Sequence, residues 1–541
     1  MGTLDEPLIE PSPMRPFHLP KPDGRVPATP KYVAKSEGRA PARPKYLSLF
    51  GALVILLLAS RDANAQVQQA WVARYNNGIT NGTNYAVKMA LDSGGNIIVT
   101  GYSQNTNNQL GYVTIKYAPN GAPLWTARYD STNSPTAMPT SMALDSNNNV
   151  IVTGSALTVK YDTNGHQLWN APYAGTALTV DGTGNSYVVG FSQDFGTVKL
   201  SPQGSNIWLT TYLGNGTGST VSESVVVDIG SNVYVSGQDT YYPGPPSPYV
   251  YFTTIKYDAN GNQLWKYSID PGLAGNVRVE ATALDNLGNL YIAELPYPGD
   301  SFSIYKYTSF GCVETVVAPY GNAGPDLAYG LETDRSGNVY LTGEFSYVAP
   351  NFSYGVSFYG TFKANTNATW LWTNYYPTPG PNPNSSAFAL AIDSTGNSYV
   401  TGYSPIANGT NNIVTIKYSP NGNQLWLQTY NGLNAGTDVG NAIAVDKSGN
   451  VYVTGYETLP GGGTGIVTIK YSPITIQRQT NGTVLIETQG SPGESFDIQA
   501  SSDLLNWLDL GTILADTNGL LQFDDTNAPN FPARFYYTNP R

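Results

Sequence analysis

The stretch Asp446-Lys447-Ser448-Gly449-Asn450-Val451-Tyr452-Val453-Thr454-Gly455 recurs, with variations, eight times along this 541-residue chain. The other copies begin at Asp92, Asp145, Asp181, Asp228, Asp285, Asp334 and Asp393, so successive copies start 53, 36, 47, 57, 49, 59 and 53 residues apart. A phrase that repeats about every 50 residues is typical of stacked copies of one supersecondary unit. Because one architecture hosts unrelated activities, the phrase predicts the fold far better than the ligand.

Each repeat contains four short segments with the signals of β-strands. In the last copy an apolar run leads into Asp446, and residues 450–455 and 467–471 then alternate with period two. A complete repeat adds a fourth segment after an Asn-Gly turn, as in residues 421–430. Asn-Gly is a strong hairpin signal. Four-stranded units repeated around a ring predict an all-β protein with the β-propeller architecture.

The two ends of the repeat array predict a closed ring. The eighth repeat stops at Tyr471-Ser472-Pro473 without a fourth strand, whereas a surplus strand that contains Trp71 precedes the first repeat. If that strand pairs with the last unit, no open sheet edge remains. We therefore expect an eight-bladed β-propeller over residues 66–473, closed by the N-terminal strand.

The phrase and the Ile-Lys-Tyr that follows it, as at Ile469-Lys470-Tyr471, resemble the SBBP-type β-propeller repeat of secreted and cell-surface bacterial proteins. The resemblance covers residues 67–473. It is weaker in repeats three and five, where Leu200 replaces the tyrosine and Glu294 replaces the final glycine. The resemblance implies seven blades in the usual case and no single activity, but the residues here count to eight.

Residues 1–65 differ from the rest of the chain. A Pro-rich basic stretch, expected to be disordered, precedes an apolar run of 13 residues from Leu47 to Ala59, and Ala63-Asn64-Ala65 follows. This order predicts a secretory signal peptide that is cleaved after Ala65, and therefore an extracellular or cell-surface protein. The apolar run is short for a membrane span, and an uncleaved anchor is the alternative. We expect no membrane span in the mature chain.

Charge narrows the choice of partner. Without residues 1–65 the chain keeps 18 basic and 32 acidic residues. This balance argues against nucleic acid and anionic lipid, which both require a basic face. The single cysteine, Cys312, leaves no internal disulfide, so we expect packing and strand pairing alone to hold the ring. We also expect a monomer.

After Pro473 the repeat disappears. New strand signals lie in residues 483–487, 495–500 and 534–538, which predicts a small β-sandwich-like domain over residues 474–541. The wording Phe496-Asp497-Ile498-Gln499-Ala500 through Trp507 resembles a C-terminal β-module of exported proteins from environmental bacteria.

Catalytic signals are scarce. After residue 65 the chain has one histidine, His166, in a turn, so zinc sites and His-dependent nucleophile systems are not expected. The repeated aspartates could ligate calcium. An aspartate at the start of a turn more simply accepts hydrogen bonds from nearby backbone N–H groups. We therefore predict no cofactor, with calcium as the alternative.

Strand parity predicts a working face. Adjacent strands are antiparallel, so the 2–3 and 4–1 connections lie on one face of the ring and the short, uniform 1–2 and 3–4 turns on the other. The long insertions, residues 238–251, 344–359 and 375–386, all fall in the first class. Variable loops on a rigid scaffold are where binding usually resides. The predicted ligand-binding residues are Tyr241, Tyr242, Tyr249, Tyr251, Tyr347, Phe352 and Tyr354.

These observations favour an exported, non-catalytic propeller that binds a protein or a polysaccharide through its long-loop face. The alternative is an extracellular propeller enzyme. Residues 261–265 loosely resemble the tryptophan-bearing repeats of quinoprotein dehydrogenases, but the vicinal cysteine pair that this resemblance implies is missing. A polysaccharide lyase or glycosidase would need two suitably spaced carboxylates, which a sequence alone does not show.

Overall fold

The computed structural model describes residues 67–540 apart from 193, 215–219, 242–248, 270–277, 296–302, 312, 318–326, 348–355, 368, 377–383, 407–408 and 504. The proposed leader, the start of the predicted propeller domain at residue 66, and Cys312 lie outside these residues. Nearly all of the described secondary structure is antiparallel β, as the sequence predicted.

Among the described residues eight sheets have four strands each, and we number these sheets along the chain. The first four are sheet 1, β2 (Asn84–Leu91), β3 (Ile97–Gln104), β4 (Leu110–Tyr117), β5 (Pro123–Tyr129); sheet 2, β6 (Pro139–Leu144), β7 (Val150–Gly154), β8 (Thr158–Tyr161), β9 (Gln167–Ala171); sheet 3, β10 (Ala177–Val180), β11 (Ser186–Val189), β12 (Phe195–Leu200), β13 (Asn206–Tyr212); and sheet 4, β14 (Thr220–Val227), β15 (Val233–Tyr241), β16 (Tyr249–Tyr257), β17 (Gln263–Ile269).

The other four continue the series. They are sheet 5, β18 (Arg278–Leu284), β19 (Leu290–Leu295), β20 (Ser303–Tyr307), β21 (Val313–Val317); sheet 6, β22 (Leu327–Thr333), β23 (Val339–Tyr347), β24 (Val356–Ala364), β25 (Trp370–Tyr376); sheet 7, β26 (Ser386–Ile392), β27 (Ser398–Pro405), β28 (Asn411–Tyr418), β29 (Gln424–Tyr430); and sheet 8, β30 (Val439–Val445), β31 (Val451–Thr458), β32 (Thr464–Pro473), β1 (Val67–Tyr75).

Sheet 8 takes its outer strand from the start of the repeat region. β1 pairs antiparallel with β32, from Val67 opposite Pro473 to Tyr75 opposite Ile466, which is the pairing that the surplus strand predicted. Arg74 of β1 also donates to Glu457 Oε1 at 2.7 Å and to the Tyr430 hydroxyl at 2.7 Å, and so ties β1 to sheets 7 and 8. The first strands of the sheets contact one another in sequence, from β2 through β6, β10, β14, β18, β22, β26 and β30, and β30 contacts β2.

In six of the eight sheets a bulge lies opposite the glycine that closes the repeated phrase, whereas sheet 5 has the bulge with Glu294 at that position and sheet 3 has Gly190 without a bulge. In seven of the eight sheets the first strand has an extra residue opposite the second strand. In sheet 7 this residue is Phe388, and a Cβ on the opposing Gly402 would overlap the Ser386 carbonyl oxygen. Only glycine fits there without moving the backbone. The extra residues in chain order are Val87, Thr140, Glu223, Glu280, Tyr329, Phe388 and Asn441.

Neighbouring sheets are joined by a repeated lock. At the junction of sheets 1 and 2, Lys116 Nζ and Trp125 Nε1 donate to the Thr163 carbonyl in the 3–4 turn of sheet 2, at 3.3 and 2.9 Å. The lysine also pairs with Asp92, the first residue of the phrase, at 2.9 Å. A Cβ on Gly165 in the same turn would lie 2.7 Å from the Trp125 ring, so the turn packs flat on the indole. The turn carbonyls that accept from the preceding sheet are those of Pro119, Thr163, Pro202, Ala259, Ser309, Thr366 and Pro420.

Residues 474–540 contribute two three-stranded sheets and one short helix. One sheet contains β33 (Thr475–Arg478), β34 (Val484–Gln489) and β37 (Leu520–Asp525), and the other contains β36 (Leu508–Leu514), β35 (Ser495–Ser501) and β38 (Phe535–Pro540), with η1 (Ala528–Asn530) between β37 and β38. Their shared core includes Ile486, Ile498 and Tyr536. Gln68 of β1 donates to the Gln489 carbonyl at 2.8 Å and accepts from Thr538, so β1 contacts both of these sheets.

Candidate functional site

The first strands of six sheets line a cavity of about 340 Å³. Five of the seven bulge residues are among its walls: Glu223, Glu280, Tyr329, Phe388 and Asn441. A bulge re-aims the side chain of the extra residue, and bulges are common beside functional sites. The bulges of the first strands therefore supply the cavity with five of its side chains.

Two carboxyl groups near one end of the cavity have altered acidity. Burial raises the pKa of Glu223 to about 7, and the nearby carboxylate of Glu280 raises it further. The hydrogen bond that the Val279 N–H donates to Glu223 at 2.8 Å has the opposite effect. Burial also raises the pKa of Glu280, against the opposing effect of Arg278, 3.9 Å away. Near pH 7 the Glu223 carboxyl is therefore divided between its neutral and charged forms.

Lys88 and Glu332 lie farther along the first strands, toward the end with the 1–2 turns. Solvent reaches both side chains inside the cavity, but protein surrounds them. This enclosure raises the pKa of Glu332 to about 7 and lowers the pKa of Lys88, because each loses hydration of its charged form. The cavity thus has groups that can donate and accept hydrogen bonds along its length.

Six aromatic rings form two clusters at the end of the cavity with the 2–3 and 4–1 connections. We call them the aromatic arc: Tyr85, Tyr102, Tyr329, Phe388, Tyr403 and Tyr456. In one cluster the Tyr85 ring lies 5.2 Å from Tyr102 and 4.3 Å from Tyr456. In the other the Phe388 ring lies 5.0 Å from Tyr329 and 5.6 Å from Tyr403. The hydroxyl of Tyr403 helps to raise the pKa of Tyr456 to about 12, after burial and the closer tyrosines, so the clusters are neighbours.

All six rings of the arc are half-buried. Each ring packs against at least one other ring of its cluster, and part of each residue is accessible to solvent. Rings held in this way can bind a ligand without much loss of side-chain entropy, since they are already fixed. Together with the carboxyl groups of Glu223 and Glu280, the arc forms what we call the channel mouth.

The residues predicted from the loops have a different placement. Tyr241 ends β15, Tyr251 lies in β16, and both side chains are half-buried. Tyr249 pairs with Tyr241 across the two strands, and Tyr347 ends β23. The side chains of Tyr249 and Tyr347 are outside the described residues, as are Tyr242, Phe352 and Tyr354 altogether. Their role in binding stays a prediction.

All three predicted insertions are partly strand, and the third, residues 375–386, begins in β25 and ends in β26. Residues 238–241 pair with residues 249–252, and residues 344–347 pair with residues 356–359, so β15, β16, β23 and β24 extend past the usual length of the repeat. The sequence pattern predicts loops for these stretches and does not predict the channel mouth. One signal for the channel mouth is present in the sequence, since Tyr102, Tyr403 and Tyr456 each directly follow the glycine of the phrase.

The phrase aspartates have the hydrogen bonds expected of a turn. In Asp446, Oδ1 accepts from the N–H groups of Ser448 and Asn450, both at 2.9 Å, and Oδ2 accepts from Asn450 Nδ2 at 2.7 Å. The other seven show the same pattern. Within the described part of the chain, no cluster of three or more His, Cys, Asp or Glu side chains is arranged to hold a metal ion.

No helix among the described residues is long and apolar enough to cross a membrane.

Comparison with known proteins identifies the repeat. Residues 429–456, from the end of β29 into β31, match the family model of the SBBP beta-propeller repeat. Residues 429–456 are thus similar to an SBBP-type β-propeller repeat. The matched segment contains the complete copy of the phrase that begins at Asp446.

The chain is also similar to an uncharacterized WD repeat-containing protein, L264, of Acanthamoeba polyphaga mimivirus, with 26% identity over 405 residues. That alignment covers 66% of this chain but 27% of the viral protein, so the chain spans about a quarter of its relative's length.

Among solved structures, a catalytically inactive virginiamycin B lyase from Staphylococcus aureus, with quinupristin, is 10% identical, with a TM-score of 0.39. The alignment covers 74% of this chain and 99% of the lyase. The Pan2 WD40 domain of Neurospora crassa is also 10% identical, with a TM-score of 0.37 over 62% of this chain and 88% of the domain.

Proposed function

We propose that this protein is an exported or cell-surface binding scaffold, a β-propeller of eight four-stranded blades closed by β1, that binds a polysaccharide at the channel mouth. The signal-peptide pattern of residues 1–65 supports export. The observation that carries the binding proposal is the aromatic arc, six half-buried rings beside hydrogen-bonding carboxyl groups on the end of the repeat region where the long connections lie.

A sugar chain fits this surface for two reasons. Sugar rings have apolar faces that pack on aromatic rings, and their hydroxyl groups need partners such as Glu223, Glu280, Asn441 and Ser224 around the cavity. The net negative charge of the chain favours neutral or cationic polysaccharides over strongly acidic ones. The proposed ligand is therefore a neutral or cationic polysaccharide that protein side chains bind without a cofactor.

One observation favours a second candidate function. A carboxyl group with a pKa of about 7, Glu223, lies in the same cavity as Glu280, and general acids in enzymes often have raised pKa values. In that case the same site would cleave the polysaccharide that it binds.

A glycan array, with release of reducing ends from each bound glycan measured alongside, tests both candidates. The scaffold proposal predicts saturable binding of one glycan class without release of new ends. Release that disappears in the Glu223→Gln variant would show an enzyme. An array without binding would contradict both.

A further inference from the structure

The junction between sheets 7 and 8 lacks the lock that joins the other sheets. By sequence position, the donors of sheet 7 are Lys417 and Trp426, the counterparts of Lys363 and Trp372 in sheet 6. Those two sheet 6 side chains both donate to the Pro420 carbonyl, at 3.3 and 3.0 Å. Within the part of the chain that the structure describes, neither Lys417 Nζ nor the indole N–H of Trp426 has a hydrogen-bond acceptor.

The missing acceptor follows from the path of the chain. Tyr471-Ser472-Pro473 repeats the sequence Tyr418-Ser419-Pro420, which begins the 3–4 turn of sheet 7. Pro473, however, stays in β32 and pairs with Val67, and the chain then continues to β33. Sheet 8 obtains its fourth strand from β1, so it has no 3–4 turn to cover Trp426.

An open space marks the position of the absent turn. A cavity of about 350 Å³, which we call the seam notch, is lined by residues that include Asp393, Tyr399, Lys417, Asp446 and Pro473. Lys417 Nζ lies 4.9 Å from the centre of the Tyr399 ring. Lys417 is half-buried, as is Lys306, whereas the other six lysines of the lock, such as Lys160 and Lys363, are almost fully buried. Burial lowers the pKa of Lys417, and Asp393 opposes this effect.

The charges of the seam notch favour a neutral ligand. Asp393 and Asp446 flank the ammonium group of Lys417, and Lys447 is a second cation on the notch, so its carboxylates and ammonium groups balance. Hydrogen bonds from Thr395, Asn397 and Tyr399 lower the pKa of Asp393 against the effect of burial. A free anion would meet two carboxylates, which repel it. A carbonyl oxygen accepts from the lysine and the indole without that cost, and a carbonyl is what the other locks contain.

We infer that the seam notch binds a tight β-turn from a partner protein, of the Pro-x-Gly kind, which presents a backbone carbonyl to Lys417 Nζ and Trp426 Nε1. The chain itself shows the required fit, since three of its own locks use Pro119-Asn120-Gly121, Pro202-Gln203-Gly204 and Pro420-Asn421-Gly422. The glycine is needed because a Cβ on Gly422 would lie 2.7 Å from the Trp372 ring, and its φ is 83°. The partner's turn completes the eighth junction as these turns complete theirs.

The probe is a synthetic hairpin peptide with the sequence of residues 418–426, and the readout is the indole N–H signal of Trp426 in an NMR spectrum of the ¹⁵N-labelled protein. The Trp426→Phe variant assigns that signal. We expect a saturable shift of Trp426 with a dissociation constant on the order of 1 mM, because one turn offers few contacts. The Trp372 signal should not move, since its N–H is already bonded to Pro420.

Two matched variants show which lysine acts. Lys417→Met should weaken peptide binding about fivefold or more, while Lys447→Met, an exposed lysine on the same cavity, should leave it unchanged. A peptide with valine in place of its glycine should not bind. The inference is overturned if Trp426 does not shift at the solubility limit of the peptide, or if the valine peptide binds equally well. It is also overturned if acetate alone gives the shift, or if the shift depends on protein concentration without peptide, which would indicate a second copy.

Discussion

The contribution of the lock to the free energy of unfolding can be measured by replacing one lysine at a complete junction and one lysine at the junction of sheets 7 and 8. Lys160 pairs with Asp145 at 2.7 Å and donates to the Pro202 carbonyl at 3.1 Å, and both charged side chains are 2% exposed. Lys417 is half-buried, and the interaction that the structure shows for it is with the Tyr399 ring at 4.9 Å. Methionine keeps the length of the stem in both cases, so the comparison isolates the ammonium group.

The expected costs differ because only one variant leaves a buried charge. Removing one partner of a buried ion pair costs about 3–5 kcal/mol of the free energy of unfolding. The lower end applies at Lys160, because Asp145 keeps hydrogen bonds from the N–H groups of Asn147 and Asn149, and Pro202 keeps one from Trp169. Lys417→Met removes a cation–π contact worth about 0.5–1 kcal/mol at a partly exposed site. The predicted difference between the variants is about 2 kcal/mol.

Urea unfolding followed by tryptophan fluorescence measures this difference. Parent and variants should have equal slopes, with the Lys160→Met midpoint clearly below the Lys417→Met midpoint. Equal losses in the two variants would refute the idea that the lock, rather than the lysine alone, stabilises the junctions.

Three further predictions concern the closing strand, the turns and the cavity. Deleting residues 66–76 should expose the edge of β32 and lower the thermal midpoint or cause aggregation, and a monomer as stable as the parent would contradict the role of β1. Chelator should leave the melting curve unchanged, because the aspartates of the phrase already accept hydrogen bonds within their turns, and a large stabilisation by calcium would show a metal site. Because the folded-state pKa of Glu223 is about 7, above the unfolded value, the folded protein holds this proton more tightly, so the parent should lose stability as the pH rises from about 5 to 8. Glu332 has a pKa of about 7 as well, so Glu223→Gln should reduce, but not abolish, the slope of that part of the profile measured by urea unfolding. An unchanged slope would show that Glu223 does not titrate in this range.

The fold was largely predictable from the sequence because its signals are local and repeated. The Asp-x-x-Gly-Asn turn, the alternation around Tyr452 and the surplus Trp71 strand predicted the four-stranded units and the pairing of β1 with β32, which the structure shows. Each signal concerns neighbours along the chain or one missing partner. Such signals do not require knowledge of where distant strands meet.

The channel mouth was harder to predict because its residues are far apart in sequence. Tyr85 and Tyr456 are 4.3 Å apart only because sheets 1 and 8 are neighbours, and Glu223 enters the cavity only because of a bulge. A bulge shifts a side chain by one position, and period-two patterns do not reveal that shift. The long insertions predicted binding at Tyr241 and Tyr251 instead. In the structure, both residues lie in strands, which pair beyond the start of the predicted insertion.

Binding at the channel mouth is tested most directly by calorimetric titration of the glycan selected on the array. The titration compares the parent, the double variant Tyr85→Ala with Phe388→Ala, and the control Tyr537→Ala, which removes an exposed ring from β38. The account predicts that the double variant binds at least about tenfold more weakly, a loss of about 1.4 kcal/mol, while Tyr537→Ala binds as the parent does. Parent-like binding by the double variant, with weakened binding by Tyr537→Ala, would contradict the account and place the ligand on the C-terminal sheets.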